Sequence, residues 1–229
     1  MSSRDDDAPG LSAGAAEPSA ATVVVTQPQR SGLAMFAKRL LQLGFRLWVL
    51  PQWMKYRLMS RLVDEPRAFM AASESLAGSS GLWGVYVRQA FYSQALAACG
   101  KDVYIGWQTM FSMSQAKLGE GCYIGHRCGL GYADVGAKVM LADGVQVLSG
   151  GKEHGTTAEE GETHQDLPQT FNQVTIGEGA WIGTNAVIMA DVGAHCVIGA
   201  GAVVARAIPP YSVAVGAPAR VVKSLKSED

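Results

Sequence analysis

Large apolar side chains recur at helical intervals in the first half of the chain and at a six-residue interval in the second half. Residues 32–50 carry them at three- and four-residue spacing, which predicts an amphipathic helix. The pattern resumes over residues 53–63 and ends at residues 64–66, so a second helix is expected there. Residues 81–98 predict a third helix, with Gly100 as its C-terminal stop.

From Val103 onward aliphatic residues, often followed by glycine, recur every six positions with small phase slips. A period of six is neither that of a helix nor that of a simple strand, and it is typical of a parallel β-helix, in which three steps make one triangular coil. We therefore expect a helical region over residues 32–100 and a β-helix over residues 101–223, followed by a tail over residues 224–229. The repeated positions are Leu118, Ile124, Leu130, Val135, Leu141, Val147, Ile176, Ile182, Ile188, Val192, Ile198 and Val204.

The repeat is interrupted at residues 149–173, which contain hardly any aliphatic side chains. Because the wall of a β-helix needs aliphatic side chains, we expect this polar stretch to leave the coil as a loop. Histidine is the commonest general base, and the loop holds His154 and His164. His154 ranks first because it follows the last regular step closely. His126, at a turn, ranks with His164, and His195, in the final coils, ranks last.

Composition narrows the possible functions. The 19 basic and 20 acidic residues leave the chain nearly neutral, which argues against a nucleic-acid partner. Residues 1–31 are rich in Ser, Ala, Pro and Gly and predict a disordered tail. The four cysteines show no zinc-finger spacing, so we expect reduced structural thiols and no metal. With neither a secretory signal nor a membrane span in the sequence, a cytoplasmic protein is expected.

The predicted helices carry a one-sided charge. No acidic residue occurs between Pro18 and Val63, whereas basic residues are frequent there. One interpretation is that residues 33–63 form a basic amphipathic surface that contacts anionic lipid, which would place the protein at the inner membrane surface. The favoured interpretation is a helical cap packed on the rest of the protein, with basic groups at its edge.

The C-terminal coils resemble a known family. Residues 174–223 contain the elements WIG, VIGAG, IPPYSVAVG and PARVVK, and CGKDVYIG, GCYIGHRCGLG and VLSGGKEHG precede them. In their order and spacing these segments resemble the hexapeptide-repeat acyltransferases, and specifically the bacterial O-acetyltransferases that modify sugars and cell-surface polysaccharides. The resemblance implies a left-handed β-helix, a homotrimer with active sites between subunits, and acetyl-CoA as co-substrate.

The resemblance also implies roles for individual residues. Lys152 stands where many relatives place the catalytic histidine, and His154 matches the second histidine of members with an HxH version of this segment, so the resemblance implies His154 as the catalytic residue. Trp181 is expected to line the acceptor pocket, with His126 and His164 as further candidates for acceptor contact. The implied contacts with acetyl-CoA are made by Thr184, Ala200, Ala205, Arg206, Arg220 and Lys223.

The resulting hypothesis is transfer of an acetyl group from acetyl-CoA directly to a sugar hydroxyl, with His154 as general base. The sequence has neither a Ser-His-Asp order nor a GxSxG segment, so Ser149 is not favoured as a nucleophile. N-acetylation of an amino sugar and serine acetylation remain alternatives. So do a metal-dependent enzyme of the carbonic anhydrase type, using His126, His154 and His164, and a non-catalytic trimeric scaffold.

Overall fold

The computed structural model describes residues 32–150 and 169–226, without the side chains of residues 33–35. The predicted tail over residues 1–31 lies outside the described residues, as do His154 and His164. Within these residues, four helices precede the short strands, which begin at Ala98. The helices are α1 (Gly32–Trp48), α2 (Leu50–Leu62), α3 (Glu65–Ala77) and α4 (Gly81–Ala95).

The helix α3 was missed by the sequence prediction, which treated residues 64–66 only as a stop. Asp64 is the N-cap of this helix, and its carboxylate accepts a hydrogen bond from the backbone N–H of Arg67 at 2.9 Å. A proline lies in the first turn, where its missing N–H costs nothing. The same residues therefore end one helix and begin the next.

The predicted end of the third helix was also wrong by a few residues. The helix α4 ends at Ala95, and Ala98–Cys99 already form the first strand of the β-helix, so the boundary lies before residue 101. Gly100 is not a helix stop. A Cβ atom at Gly100 would lie 2.4 Å from the backbone nitrogen of Glu120, so the glycine permits close contact between two coils.

The strands form three parallel sheets, one on each face of the β-helix, which confirms the predicted architecture. Sheet A contains β1 (Ala98–Cys99), β4 (Lys117–Leu118), β7 (Ala133–Val135) and β10 (Val174–Ile176). Sheet B contains β2 (Tyr104–Ile105), β5 (Tyr123–Ile124), β8 (Met140–Leu141), β11 (Trp181–Ile182), β13 (Val197–Ile198) and β15 (Ser212–Val215). Sheet C contains β3 (Met110–Phe111), β6 (Gly129–Leu130), β9 (Gln146–Val147), β12 (Val187–Ile188) and β14 (Val203–Val204).

The repeated aliphatic positions form the core, as the sequence predicts. In each two-residue strand the second side chain points to the axis: Ile124, Leu141 and Ile182 are all fully buried. The phase slip at Val135 falls at a shortened corner between sheets C and A. The slip does not disturb the stacking, because Val135 pairs with both Leu118 and Ile176.

The chain ends in an arrangement that the repeat did not predict. The strand β16 (Arg220–Ser224) runs antiparallel to β15, whereas the other strand pairs among the described residues are parallel. Arg220 pairs with Val215 and Lys223 with Val213. The strand extends to Ser224, one residue into the predicted tail, of which residues 227–229 lie outside the described residues.

The helices pack on the first coil of the β-helix. Within the buried interface, the Ser73 hydroxyl bonds the Tyr92 hydroxyl at 2.7 Å and accepts the backbone N–H of Phe111 at 2.9 Å. The fully buried Arg88 donates from Nε to the carbonyl of Ile105 at 3.1 Å and from Nη1 to that of Ser79. These bonds tie α3 and α4 to strands β2 and β3, which supports the helical cap.

Candidate functional site

Two corners of the β-helix carry the residues of interest. We call the turns from sheet B to sheet C the BC corner, and the turns from sheet C to sheet A the CA corner. Each corner is a column of equivalent turns, with neighbouring coils about 4.8 Å apart. Sheet C lies between the two columns.

The interrupting segment leaves the β-helix at the CA corner. The hydroxyl oxygen of Ser149, a nearly buried residue, accepts the backbone N–H of Tyr132 at 3.0 Å. The Ser149 carbonyl accepts the N–H of Asn172 at 2.8 Å, and Val174 donates to the Tyr132 carbonyl at 2.9 Å. The two ends of the loop are therefore bonded to each other and to the preceding coil. The hydroxyl of Ser149 holds this root and is not exposed as a nucleophile.

Ala205 and Arg206 lie in the same column as the loop root. Leu148 donates to the carbonyl of Ile188, and Met189 donates to that of Val204, each at 2.9 Å. Leu148, Met189 and Ala205 thus occupy equivalent positions on three successive coils. The exposed Arg206 lies about 10 Å along the axis from the loop root.

Thr184, Ala200 and Arg220 lie together across sheet C, at the BC corner. The Thr184 carbonyl accepts the N–H of Gly201 at 2.8 Å, which stacks the turn of Ala200 directly on that of Thr184. Gly183, Gly199 and Val215 occupy equivalent positions on successive coils, at the start of the BC corner. Arg220 pairs with Val215, so it lies beside the same column of turns. All three are exposed. The structure therefore brings together three of the six residues that the resemblance assigns to acetyl-CoA.

Trp181 and Lys223 lie on sheet B, outside both corners. The Trp181 side chain is 53% exposed, so it is available to a ligand and is not simply packed in the wall. Its cross-strand neighbours are Met140 and Val197. Lys223 lies further along the same sheet, opposite Val213.

His126 does not lie at the loop root. It occupies the BC corner two coils before Thr184, where its Nδ1 accepts the backbone N–H of Trp107 at 2.9 Å. Its own backbone N–H donates to Asp143 at 2.8 Å. With Nδ1 acting as acceptor, a neutral imidazole carries its proton on Nε2, which can donate to a ligand but cannot accept a proton. This geometry disfavours His126 as the general base.

The other described histidine, His195, and the four cysteines contribute no reactive group to these corners. His195 stacks on Tyr211 with ring centroids 5.0 Å apart, at a turn between sheets A and B. All four cysteines are free. Burial raises the pKa of the Cys99 and Cys128 thiols to about 11 and also raises the pKa of Cys122. Thiols with a raised pKa are poor nucleophiles at neutral pH.

Two polar residues that the sequence analysis does not single out, Asn172 and Gln173, lie at the loop root. Asn172 is exposed at the loop root, with its side chain beside Gly150. The Gln173 amide nitrogen is buried and has no hydrogen-bond partner among the described residues. Both polar side chains belong to a polar stretch of sequence, so no local pattern distinguishes them from loop residues. Among residues 32–150 and 169–226, no cluster of His, Cys, Asp and Glu is arranged to bind a metal ion.

Comparison with known proteins identifies the family. The model of the bacterial transferase hexapeptide (six repeats) matches residues 173–206. Galactoside O-acetyltransferase from Escherichia coli K12 is 30% identical over 151 residues, which cover 62% of this chain and 70% of that protein. The chain belongs to the hexapeptide-repeat acetyltransferase family. This confirms the resemblance of the C-terminal coils.

Solved structures show the same fold. A maltose O-acetyltransferase from Clostridium difficile 630 superposes with a TM-score of 0.61 at 24% identity, covering 71% of this chain and 89% of that one. A galactoside acetyltransferase in complex with coenzyme A gives a TM-score of 0.52 at 22% identity, covering 70% and 82%.

Serine acetyltransferases match a smaller part of the chain. Serine acetyltransferase 2 from Arabidopsis thaliana is 30% identical over 116 residues, which cover 50% of this chain. The match covers only 32% of that relative, so the chain spans about a third of its length.

Proposed function

We propose that this protein transfers an acetyl group from acetyl-CoA to a hydroxyl group of a sugar or of a cell-surface polysaccharide precursor. The observation that carries the proposal is the place where the loop leaves the β-helix. Its root shares the CA corner with Ala205 and Arg206, and Thr184, Ala200 and Arg220 lie across sheet C. A ligand that lies along sheet C would therefore contact the residues of the CA corner on one side and those of the BC corner on the other. The galactoside O-acetyltransferase match extends over most of that relative and supports the same chemistry.

Acetyl-CoA is the co-substrate that fits these residues. Arg206, Arg220 and Lys223 are exposed cations suited to phosphate groups. The exposed turns of Thr184 and Ala200 offer backbone groups to a pantetheine arm. The structural neighbour that contains coenzyme A supports this choice.

The proposed reaction is a direct transfer with His154 as general base. As the acceptor oxygen attacks the thioester carbonyl, His154 takes the hydroxyl proton. Backbone N–H groups stabilise the negative charge on the carbonyl oxygen. The carbon–sulfur bond then breaks, and the sulfur leaves with the proton returned by His154. His154 is assigned from its position in the sequence, five residues beyond Ser149, which is hydrogen-bonded at the loop root.

The acceptor and the assembly complete the proposal. Trp181 lies on sheet B, the face opposite the CA corner, so it would provide an apolar surface for an acceptor held at the loop root of a neighbouring subunit, with His126, through Nε2–H, or His164 as a polar contact. A homotrimer would place the exposed corners of one subunit against the next.

Acetylation of an amino sugar or of serine is the second candidate function, favoured by the match to serine acetyltransferases.

An acceptor screen tests the function. The full chain is incubated with acetyl-CoA and with sugars, amino sugars or serine, and the release of the CoA thiol is measured. Release that depends on a sugar hydroxyl supports the proposal. Release with amines or serine alone assigns the alternative, and acetyl-CoA binding without turnover of any acceptor indicates a non-catalytic scaffold.

Replacement of Arg220 by glutamine tests the binding of acetyl-CoA. Because one charge-assisted contact to a phosphate is lost, we expect KM for acetyl-CoA to rise about tenfold with little change in kcat. The matched control is Lys226→Gln, which removes one exposed cation near the same end of the β-helix. Equal effects of both variants on KM would contradict a specific role for Arg220.

A further inference from the structure

The helix α1 carries apolar side chains on two opposite faces. Phe45 on α1 and Val49, just after its end, are buried, and α1 packs on α4. At about 100° per residue, a second set falls within about 60° of arc on the other side of the helix. This second set is exposed by 55% or more, so α1 is not only part of the cap. Its members are Phe36, Leu40, Leu43 and Leu47.

The exposed set continues along α2. Val49 has helical backbone angles, donates its N–H to the carbonyl of Phe45 at 3.0 Å and accepts the N–H of Trp53 at 2.9 Å, so helical hydrogen bonds occur on both sides of the junction of α1 and α2. Pro51, which has no N–H, interrupts the series between them. Met54, Leu58 and Leu62 follow at spacings of four residues and are 58–70% exposed. We call these seven residues, from Phe36 to Leu62, the outer stripe. An exposed apolar surface of this length marks an interaction site.

Two exposed tryptophans lie between the outer stripe and the buried face of α1, where Trp83 also contacts Phe45 with ring centroids 4.8 Å apart. Trp48 is 59% exposed and packs edge to face on Trp83, with ring centroids 5.5 Å apart. Trp83 is 53% exposed, and its neighbour Leu82 is 78% exposed. Tryptophan is enriched where proteins contact the interface between lipid and water, because its ring is apolar and its N–H is polar.

All charged residues of α1 and α2 are basic. Arg39 and Arg46 lie on one flank of α1, and Arg57 and Arg61 follow on α2; all four are exposed. Residues 32–63 contain no acidic residue. The carboxylates that follow are engaged, because Glu65 accepts the Tyr56 hydroxyl at 2.8 Å and Asp64 lies 3.5 Å from Arg67.

We propose that the outer stripe and its arginines dock on an anionic lipid surface. Burial of the leucines in the boundary between headgroups and acyl chains removes apolar area from water, while the arginines meet anionic headgroups. A second copy of this chain is a poorer occupant, because it would bring two surfaces of the same charge together. No described helix is long and apolar enough to cross a membrane.

Cosedimentation of the full chain with vesicles tests this proposal. We expect binding to vesicles of phosphatidylglycerol and phosphatidylcholine, little binding to phosphatidylcholine alone, and weakening by salt. Arg39→Gln combined with Arg61→Gln should lower the partition coefficient about fivefold for each residue removed. Leu58→Gln should lower the partition coefficient roughly tenfold, because the variant lacks the favourable transfer of a leucine side chain from water into the bilayer.

Matched variants on the β-helix control for charge and apolarity. The pair Lys117→Gln and Lys138→Gln removes the same charge from exposed positions, and Met140→Gln replaces a side chain that is 51% exposed. Both controls should bind as the original chain does. The proposal is overturned if anionic vesicles do not bind the chain or if the controls weaken binding equally. Self-association without vesicles that Leu58→Gln abolishes would overturn it as well, by assigning the surface to a second copy.

Discussion

Replacement of His154 by alanine is expected to reduce the rate of acetyl transfer about 10²- to 10⁴-fold, the usual contribution of a general base. The acceptor hydroxyl would then have to lose its proton to water during attack on the thioester. The loss should appear in kcat, with KM for acetyl-CoA nearly unchanged, because the six proposed cofactor residues are untouched. Steady-state release of the CoA thiol at saturating acetyl-CoA measures both parameters.

His164→Ala is the matched control, because it removes a histidine from the same loop. We expect it to retain most of the activity and to alter at most KM for the acceptor. His126→Ala should likewise retain activity, because the Nδ1 of His126 is occupied by the Trp107 N–H. If His154→Ala remains active while one of the other two variants is inactive, the base has been assigned to the wrong residue.

Replacement of Ile182 by alanine is expected to destabilise the fold by about 2–5 kcal/mol, through lost apolar burial and the cavity that remains. Ile182 is fully buried in β11, paired with Leu141 on one side and Ile198 on the other. Neighbouring coils are held in register by these contacts, so they have little freedom to close the cavity. Thermal or denaturant unfolding measures the change in the free energy of unfolding.

Trp181→Ala provides the control on the same strand. Its side chain points away from the axis, so we expect a loss of about 1 kcal/mol or less. Its effect should instead appear in KM for the acceptor. Equal destabilisation by the two variants would contradict the assignment of inward and outward positions in sheet B.

The six-residue repeat made the β-helix predictable, because each coil needs one inward aliphatic residue per face and tolerates few alternatives. Helix α3 was not predictable in the same way. Aspartate and proline are common both after the end of a helix and at the start of one, so Asp64 and Pro66 fit either position. Only the packing of α3 on β3 shows that they begin a helix. Gly100 was misread for a similar reason, since glycine permits both a helix end and a close approach of two coils.

The sequence alone determined the β-helix, its interruption and the family, because these depend on the spacing of neighbouring residues along the chain. The tertiary structure decided which distant residues share a corner. Thr184, Ala200 and Arg220 meet at the BC corner, and Ala205 and Arg206 lie below the loop root, because coils stack in register and bring residues of successive turns together. It also decided which face of helix α1 is buried. The apolar period is the same on both faces of α1, and only packing on α4 shows which face is buried and which remains exposed.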